Sequence, residues 1–342
     1  MKKLRLFGFV VFILLILFLL AKFYLPHFLS YKKPVDSNNF LIEAWISSWE
    51  IEQAVREYGH DPDSRFYIVG YMYPELVPKR LELNQSGAEL DNNNNNGIWL
   101  YANSSLGFSI PGNLSSISGD TVKIIVTARG QEAANRFAYF NVVINGECIG
   151  GAFSENEYQD YSFDWIVSDE GLKTFNIKFN NDLVINNTDR NLNIKSVLIG
   201  NHLLTANKNC TTLLRDLNNL TSGFATQAEE MQDYLLQLGI DENQITIINF
   251  ERVKRNQTLA AAEKFHDFIA SVSLPSINVI TTDIHSRRTW FTYHRIIGKQ
   301  TRVGVLCYPA IDPGKIKTSY TDLFYVIDEF LSYFANWFQL TF

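Results

Sequence analysis

The hydrophobic pattern of this chain changes twice along its length, and these changes limit the folds that it can adopt. The first part shows an apolar run at Phe40–Trp45, a helical pattern over Ser48–Tyr58 and a second apolar run at Phe66–Val69. Helical periodicity is then missing from Leu76–Leu204 and returns beyond that segment. The sequence therefore predicts an α/β part that is interrupted by a segment of another class.

The interrupting segment shows the alternation of apolar and polar residues that is typical of strands with one buried face. Turn signals such as Asn145-Gly146 separate these runs, as expected for hairpins. Three sets of alternating residues mark the clearest strands: Val122, Ile124 and Val126; Phe140, Val142 and Ile144; Phe175, Ile177 and Phe179. Many short strands of this kind predict a β-sandwich.

Helices and strands alternate again in the last part of the chain, which predicts a parallel sheet with right-handed crossovers. The opening strand–helix–strand unit is too small to bury both of its faces, so we join it to these later elements. The predicted organisation is an α/β domain formed by 39–75 and 206–342, with the sandwich of 76–205 inserted into it. Two domains in succession are the alternative.

An apolar run at the amino terminus predicts a membrane anchor within residues 1–30. Leu6–Leu25 is interrupted only at Lys22 and has about the 20 residues that a bilayer core requires, with basic residues before it. This asymmetry predicts a single pass through the cytoplasmic membrane, with the body of the protein outside, in the periplasm. A cleaved signal peptide is the alternative, although the run is long and lacks a small-residue cleavage site. The stretch 32–39 is interpreted as a polar tether.

Composition excludes several classes of function. The chain of 342 residues has a net charge of -6 and no basic block outside its first few positions, so we expect no nucleic-acid partner. Its 3 cysteines are far apart and have no paired spacing, which argues against a zinc site or a disulfide framework. The Asn92–Asn96 run is predicted to be a loop.

The candidate residues of the α/β part follow its predicted strands, because ligands of parallel sheets gather outside the carboxyl ends of the strands. Glu43 ends the first strand, and Thr281–Arg288 spans the passage from a strand into a helix, where helix N–H groups and arginines favour an anion. We expect His285 to exchange a proton there if a reaction occurs. The alternative is that Asp283 caps the helix while the arginines are solvated.

In the interrupting segment, the polar cluster Asn180–Asp182 and Asp189–Leu192 carries closely spaced carboxylate and amide oxygens. Ca²⁺ takes several such oxygen ligands from loops, so these residues are candidates for a calcium site. The alternative is that Asn and Asp simply form turns here.

The α/β part resembles the YdcF/SanA/ElyC-like family of bacterial envelope proteins, which are often membrane-anchored. The resemblance implies a Rossmann-like fold and a polar pocket connected with envelope polymers or lipid carriers. Candidate catalytic roles fall on Asp283, His285 and Arg288, and candidate roles in binding an anionic small molecule on Glu43, Arg255, Thr258 and Thr281. The chain departs from the family at Arg255, where Ser is common, and at Ala261-Ala262, where Asn-Ala is common.

The inserted segment resembles calcium-dependent xylan-binding modules, which are small jelly rolls. Phe179-Asn180-Asn181-Asp182 followed by Asp189-Arg190-Asn191-Leu192 is close to their FxND and DRNL signature. The resemblance implies a bound polysaccharide and a calcium ion held by Asp182 and Asp189, with Asn181 and Asn191 nearby. Lys195 stands where these modules commonly have Asp, which would weaken the calcium site.

Two functions follow from these features. The first is an envelope protein that binds polysaccharide through the insertion and binds, or acts on, an anionic glycan- or lipid-carrier-related molecule in its α/β crevice. The second is a non-catalytic, glycan-binding adaptor. The sequence has neither a G-x-S-x-G elbow nor an H-E-x-x-H motif, so it does not decide whether the protein is an enzyme.

Overall fold

The computed structural model describes residues 24–72, 88–90, 97–101, 103–110, 119–168, 171–185, 188–206, 210–215, 224–308 and 320–341. The chain divides into two compact units. The α/β unit is formed by Met1–Met72 with Met231–Phe342, and the β module is Tyr73–Glu230. The Asn92–Asn96 run and most of the predicted anchor lie outside the described residues. No helix in the described parts of the chain combines the length and apolar character needed to cross a membrane.

The elements follow in chain order. The α/β unit begins with β1 (Asn39–Glu43), α1 (Ser48–Tyr58) and β2 (Arg65–Tyr71). The strands of the β module are β3 (Ala88–Leu90), β4 (Ile98–Leu100), β5 (Ser104–Phe108), β6 (Thr121–Gly130), β7 (Tyr139–Ile144), β8 (Glu147–Phe153), β9 (Gln159–Ile166), β10 (Phe175–Phe179), β11 (Leu183–Ile185), β12 (Thr188–Arg190), β13 (Leu192–Ile199), β14 (His202–Thr205) and β15 (Cys210–Arg215). The later elements are α2 (Gln227–Gln237), a 3-10 turn (Glu242–Gln244), β16 (Ile245–Phe250), α3 (Gln257–Ile269), β17 (Ser276–Thr282), α4 (Ser286–Ile297), β18 (Arg302–Tyr308) and α5 (Tyr320–Thr341).

The sheet of the α/β unit confirms the predicted parallel arrangement. Its five described strands lie in the order β16-β2-β1-β17-β18, and every neighbouring pair is parallel. From β1 the chain proceeds outward on one side through β2 and β16, and then on the other side through β17 and β18. The direction of winding therefore reverses between β1 and β17, which is where a parallel sheet opens a crevice at its carboxyl edge.

The central strands are apolar because both of their faces are covered. In β1, Phe40, Leu41 and Ile42 are buried, and so is Glu43 at the end of the strand. The register places Ile42 beside Ile280 of β17. An ionisable residue at such a position must have its partners within the protein, since water does not reach it.

The predicted tether is packed against this sheet. Lys33 forms an antiparallel bridge with Val305 of β18, with N···O distances of 3.1 and 2.9 Å. The amide N–H of Val35 donates to Oδ1 of Asn278 at 2.9 Å. Because β18 is an edge strand of the described sheet, this segment covers part of an edge that is otherwise open to pairing.

The β module contains two larger antiparallel sheets that share one core. One sheet has the order β15-β5-β10-β7-β8, the other β3-β4-β13-β6-β9, and β14 pairs with β13. Strand β6 alternates buried and less buried residues along most of its length, as predicted for a strand with one face on the core. Core side chains come from both sheets, among them Val126, Phe140, Ile177 and Val197.

The module extends past the predicted end of the insertion at residue 205. Strand β15 pairs antiparallel with β5, so the chain still belongs to the module at Arg215. Cys210–Arg215 is a short run without clear alternation, so its sequence gives little sign of a strand.

Candidate functional sites

A group of polar side chains occupies the reversal point of the parallel sheet. Glu43 ends β1, and His285 lies just after β17 at the start of α4. The side chain of Glu43 is fully buried, and His285 is 9% exposed. Thr258, in the first turn of α3, completes the interior of the group. The fold thus brings together three predicted site residues from distant parts of the sequence.

The imidazole of His285 contacts a different group on each side. Its Nδ1 lies 3.0 Å from Oε2 of Glu329 on α5. Its Nε2 lies 3.3 Å from the hydroxyl of Thr258 and 3.8 Å from Oε2 of Glu43. One nitrogen is therefore held by a carboxylate, while the other faces a hydroxyl and a buried carboxyl group.

Arg288 and Glu329 form a two-pronged ion pair. Nε of Arg288 donates to Oε1 of Glu329 at 2.6 Å, and an Nη atom donates to Oε2 at 3.1 Å. The same Nη lies 3.0 Å from Nδ1 of His285. Since the guanidinium already has a carboxylate acceptor, we assign the Nδ1 proton to His285, which donates it to Glu329. In the neutral imidazole, Nε2 is then the proton acceptor.

The pKa values of the two glutamates are shifted in opposite directions. Burial acts to raise the pKa of Glu329, but hydrogen bonds and charges from His285 and Arg288 outweigh it and lower the pKa to about 2. Burial raises the pKa of Glu43 above its ordinary value, despite the nearby His285 and Arg288. The phenol of Tyr293, 3.5 Å from Oε1 of Glu43, is buried beside it. The site therefore combines a carboxyl group whose pKa is lowered, Glu329, with a buried one whose pKa is raised, Glu43.

A third acid lies at the same edge of the sheet. Glu50, in the first turn of α1, is buried and accepts a hydrogen bond from the hydroxyl of Ser47. Burial raises the pKa of Glu50 to about 7, with the negative charge of Asp283 acting in the same direction. Its Oε1 is buried without a hydrogen-bond partner. Glu50 is thus a carboxyl group that changes charge near neutral pH.

The remaining predicted residues of the α/β unit lie apart from these contacts. Asp283 accepts a hydrogen bond from the hydroxyl of Ser30, in the segment that follows the predicted anchor. The hydroxyl of Thr281 lies 3.4 Å from that of Thr289 in the interior. Arg255 is exposed, in the loop before α3. The structure thus places Asp283 and Thr281 in packing contacts beside the site.

Arg287 precedes the candidate residue Arg288, but its own contacts are with aromatic residues outside the site. Its Nε donates to the carbonyl oxygen of Phe28. Its guanidinium also lies over the rings of Phe28 and Tyr31, at 4.3 and 4.6 Å from their centroids. These contacts fasten the start of α4 to the segment that leads from the predicted anchor.

In the β module, the predicted cluster is built around a buried arginine. Arg190 is fully buried and donates to three backbone carbonyl oxygens, those of Arg136 (3.1 Å), Asn181 (3.0 Å) and Ala133 (2.7 Å). Asn181 is buried too, and its Oδ1 accepts from the amide of Tyr139 at 2.6 Å. Arg190 and Asn181 therefore hold the loops in place.

Asp189 lies at a surface cavity of about 520 Å³. The cavity is lined by Gln131, Glu132, Phe137, Asn156, Thr188 and Asp189. Asn191 is buried next to it, with its Nδ2 donating to Oε1 of Gln131 at 2.6 Å, while its Oδ1 has no hydrogen-bond partner. A buried amide oxygen without a donor, beside a cavity with carboxylates, fits the oxygen ligands that Ca²⁺ prefers.

The other predicted ligand, Asp182, precedes β11, and its amide N–H donates to Oδ1 of Asn103 at 2.8 Å. Among the described residues, no three His, Cys, Asp or Glu side chains converge as a metal site. A calcium site here would depend on amide or backbone oxygens as well as carboxylates. Lys195 lies over the ring of Tyr158, with its Nζ 5.2 Å from the centroid.

Three residues of the α/β site were missed in the sequence analysis. Glu329 lies on the last helix, and nothing in its local pattern relates it to α4. Tyr293 is one of many aromatic residues on helices. Glu50 could have been found, because it follows β1 at the same edge as Glu43 and stands three residues after Ser47, a pattern that often caps helices.

A family model described as a Ca-dependent, xylan-binding carbohydrate-binding module (CBM60) matches residues 123–213. This match supports the predicted resemblance of the insertion and indicates carbohydrate binding. No curated protein matches the chain.

Two solved structures show distant similarity. The Glycosylation Associate Protein (Gap123) complex from Streptococcus agalactiae is 10% identical, over 76% of this chain and 87% of that chain, with a TM-score of 0.21. An acetyl xylan esterase (Est2A) from the rumen bacterium Butyrivibrio proteoclasticus is 10% identical, over 71% of this chain and 69% of that chain, also with a TM-score of 0.21.

Proposed function

We propose that this protein is a membrane-anchored envelope protein that holds a polysaccharide of the xylan type through its β module. The observation that carries this proposal is the match of residues 123–213 to a xylan-binding, calcium-dependent module. The cavity beside Asp189 is the proposed binding place, and Asp189, Asn191 and Asp182 are the proposed calcium ligands. The anchor of residues 6–25 would keep the module outside the cytoplasmic membrane, in the periplasm.

Calorimetric titration of the full chain with xylan oligosaccharides, in calcium and in chelator, tests this proposal. We expect binding in calcium, a loss of at least tenfold in affinity in chelator, and a similar loss in Asp189→Ala, because a hard-cation site loses both a ligand and a charge. Asp164→Ala, an exposed acid on β9, is the matched control and should bind as the wild type does. If the affinity for xylan oligosaccharides is the same in chelator as in calcium, calcium has no part in the binding.

For the α/β unit we propose a Rossmann-like domain of the YdcF type that binds an anionic molecule related to glycans or lipid carriers. The supporting observation is the buried group of Glu43, His285, Arg288 and Glu329 at the reversal point of the sheet. The first turn of α4 favours an anion there. His285 would accept a proton at Nε2 if the bound molecule reacts.

Titration of the full chain in detergent with inorganic pyrophosphate and with a polyprenyl phosphate distinguishes a free anion from a lipid-linked one. His285→Asn should lower the affinity at least tenfold, since it removes the central member of the group. His294→Asn is the control, because this histidine is exposed on the same helix. Equal effects of the two variants would contradict the proposal.

One observation favours the non-catalytic adaptor as the second candidate. Two of the donors of Arg288 are already engaged by Glu329, so a bound anion must compete with that carboxylate. If neither phosphate compound binds while xylan does, the adaptor is the better description of this protein.

A further inference from the structure

The last helix presents an apolar stripe to the surroundings. Phe324, Leu331 and Phe338 are spaced by seven residues along α5 and are 72%, 61% and 65% exposed. Phe334, between them in the same stripe, is 45% exposed. Large apolar side chains that share one exposed face of a helix mark a surface that contacts something other than water.

The opposite face of α5 is fixed to the α/β unit. Val326 is buried with Leu29 and Ile284 in one small cluster. Glu329 pairs with Arg288, and Nδ2 of Asn336 donates to the hydroxyl of Thr292 at 3.2 Å. The helix is therefore held in one orientation, which keeps the stripe outward.

The segment that follows the predicted anchor packs beside the same helix. Residues 24–29 are helical, and the ring of Phe28 meets those of Phe330 and Tyr333 edge-on, with centroids 6.0 and 5.8 Å apart. The apolar run predicted to span the bilayer ends at Leu25. At a rise of 1.5 Å per residue, Phe28 lies only about 5 Å further along a helix. The predicted exit of the chain from the bilayer is thus next to α5.

The composition of α5 suits the boundary of a bilayer better than a second helix. Its exposed face carries Phe, Tyr and Trp side chains, which are enriched at membrane interfaces, whereas helix pairing favours Leu, Ile and Val in the repeated positions. The helix has no lysine or arginine, so its attraction to a bilayer would be apolar rather than electrostatic.

We propose that α5 lies in the interface of the membrane, with the stripe of Phe324, Leu331, Phe334 and Phe338 among the upper parts of the acyl chains. This proposal rests on the proposed anchor, since the anchor brings the helix to the bilayer. One face of α5 would then contact lipid while the other supplies Glu329 to the site of His285 and Arg288. The site would lie about one helix diameter, on the order of 10 Å, from the lipid surface.

The experiment uses the full chain reconstituted in phosphatidylcholine vesicles whose acyl chains carry bromine near the headgroups. Phe338→Trp adds a fluorescent reporter in the stripe, and the spectrum of the wild type is subtracted to remove its 6 native tryptophans. The control reporter is Val272→Trp, at a residue that is 40% exposed and precedes β17, at the amino edge of the sheet. We expect bromine to quench the reporter at 338 at least threefold more than the one at 272.

A second substitution tests the stripe itself. Leu331→Asp in the Phe338→Trp background places a charge among the acyl chains and should remove most of the quenching, while the chain stays in the vesicle fraction. Equal quenching at 338 and 272 in vesicle-bound protein would overturn the proposal for α5 but would not contradict the proposed anchor. A chain that does not associate with vesicles at all would overturn both.

Discussion

Glu329 binds Arg288 through both of its oxygens, at 2.6 and 3.1 Å, and the same carboxylate lies 3.0 Å from Nδ1 of His285. The last helix of the chain therefore fixes the orientation of two residues that follow β17.

The first prediction concerns this ion pair. Glu329→Gln leaves the guanidinium of Arg288 partly buried without its counter-charge, so the free energy of unfolding should fall by about 3 kcal/mol. Urea unfolding of the full chain in detergent measures this change. Asp328→Asn, the exposed neighbour on the same helix, should cost less than about 0.5 kcal/mol. If the two substitutions lower the free energy of unfolding equally, the Arg288–Glu329 pair contributes no more to stability than an exposed acidic residue does.

The second prediction is a pH dependence that arises from Glu50. Its pKa rises from 4.5 to about 7 on folding, so the unfolded chain releases this proton at a lower pH than the folded one. Stability should therefore decrease as the pH rises from 4.5 to 7, by about 3 kcal/mol from this group. Glu50→Gln should remove that part of the decrease, as unfolding at a series of pH values will show. Glu242→Gln, at an exposed acid, should leave the profile unchanged.

The third prediction follows from the burial of Arg190. A lysine in its place cannot reach the three carbonyl oxygens of Arg136, Asn181 and Ala133 at once. We expect Arg190→Lys to lower the stability of the β module by about 2 kcal/mol or more, through buried acceptors left unpaired. Thermal unfolding followed by circular dichroism tests this. Arg136→Lys, at a half-buried arginine nearby, should have a smaller effect, and the reverse order would contradict the assigned role.

The fourth prediction concerns the segment packed against β18. A Cβ atom on Gly304 would lie 2.1 Å from Oδ1 of Asn278 and 2.6 Å from the backbone nitrogen of Val35. Gly304→Ala should therefore displace the segment and speed hydrogen exchange at the amide of Val35 at least tenfold. Mass spectrometry of the exchanging chain measures this. Arg302→Ala, at an exposed residue of the same strand, should leave that amide protected.

The parallel sheet and part of its site could be predicted from the sequence. Glu43 and His285 were placed correctly at one edge because strands in a parallel sheet end on the same side, and that rule needs only the strand positions. Thr258 followed from the resemblance of its helix start to a known family. These residues lie close to the ends of strands or the starts of helices, where the position in the sequence determines the edge of the sheet at which a residue lies.

The rest of the site depends on packing that no local pattern encodes. The helix that carries Glu329, α5, is separated from β18 by residues 309–319, and the docking of α5 on α4 brings Glu329 to His285. Asp283 was expected in the site, but it accepts a hydrogen bond from the hydroxyl of Ser30, because the segment between the predicted anchor and the tether packs against the start of α4. Contacts of this kind, between the first described segment and a distant helix, arise from tertiary packing and leave no local pattern in the sequence.

The order of pairing in the parallel sheet has a consequence for the synthesis of the chain. Strand β2 hydrogen-bonds β16, and β1 hydrogen-bonds β17, yet the whole β module is translated between these partners. Both sides of the strand pair β1 and β2 thus remain open until the ribosome has finished the module. All the described strands of the module pair with one another, so its sheets need no strand of the α/β unit. During that interval the apolar strands β1 and β2 lack their partners and are prone to aggregate. Chaperone binding and the rate of translation should therefore affect how much of the chain folds correctly.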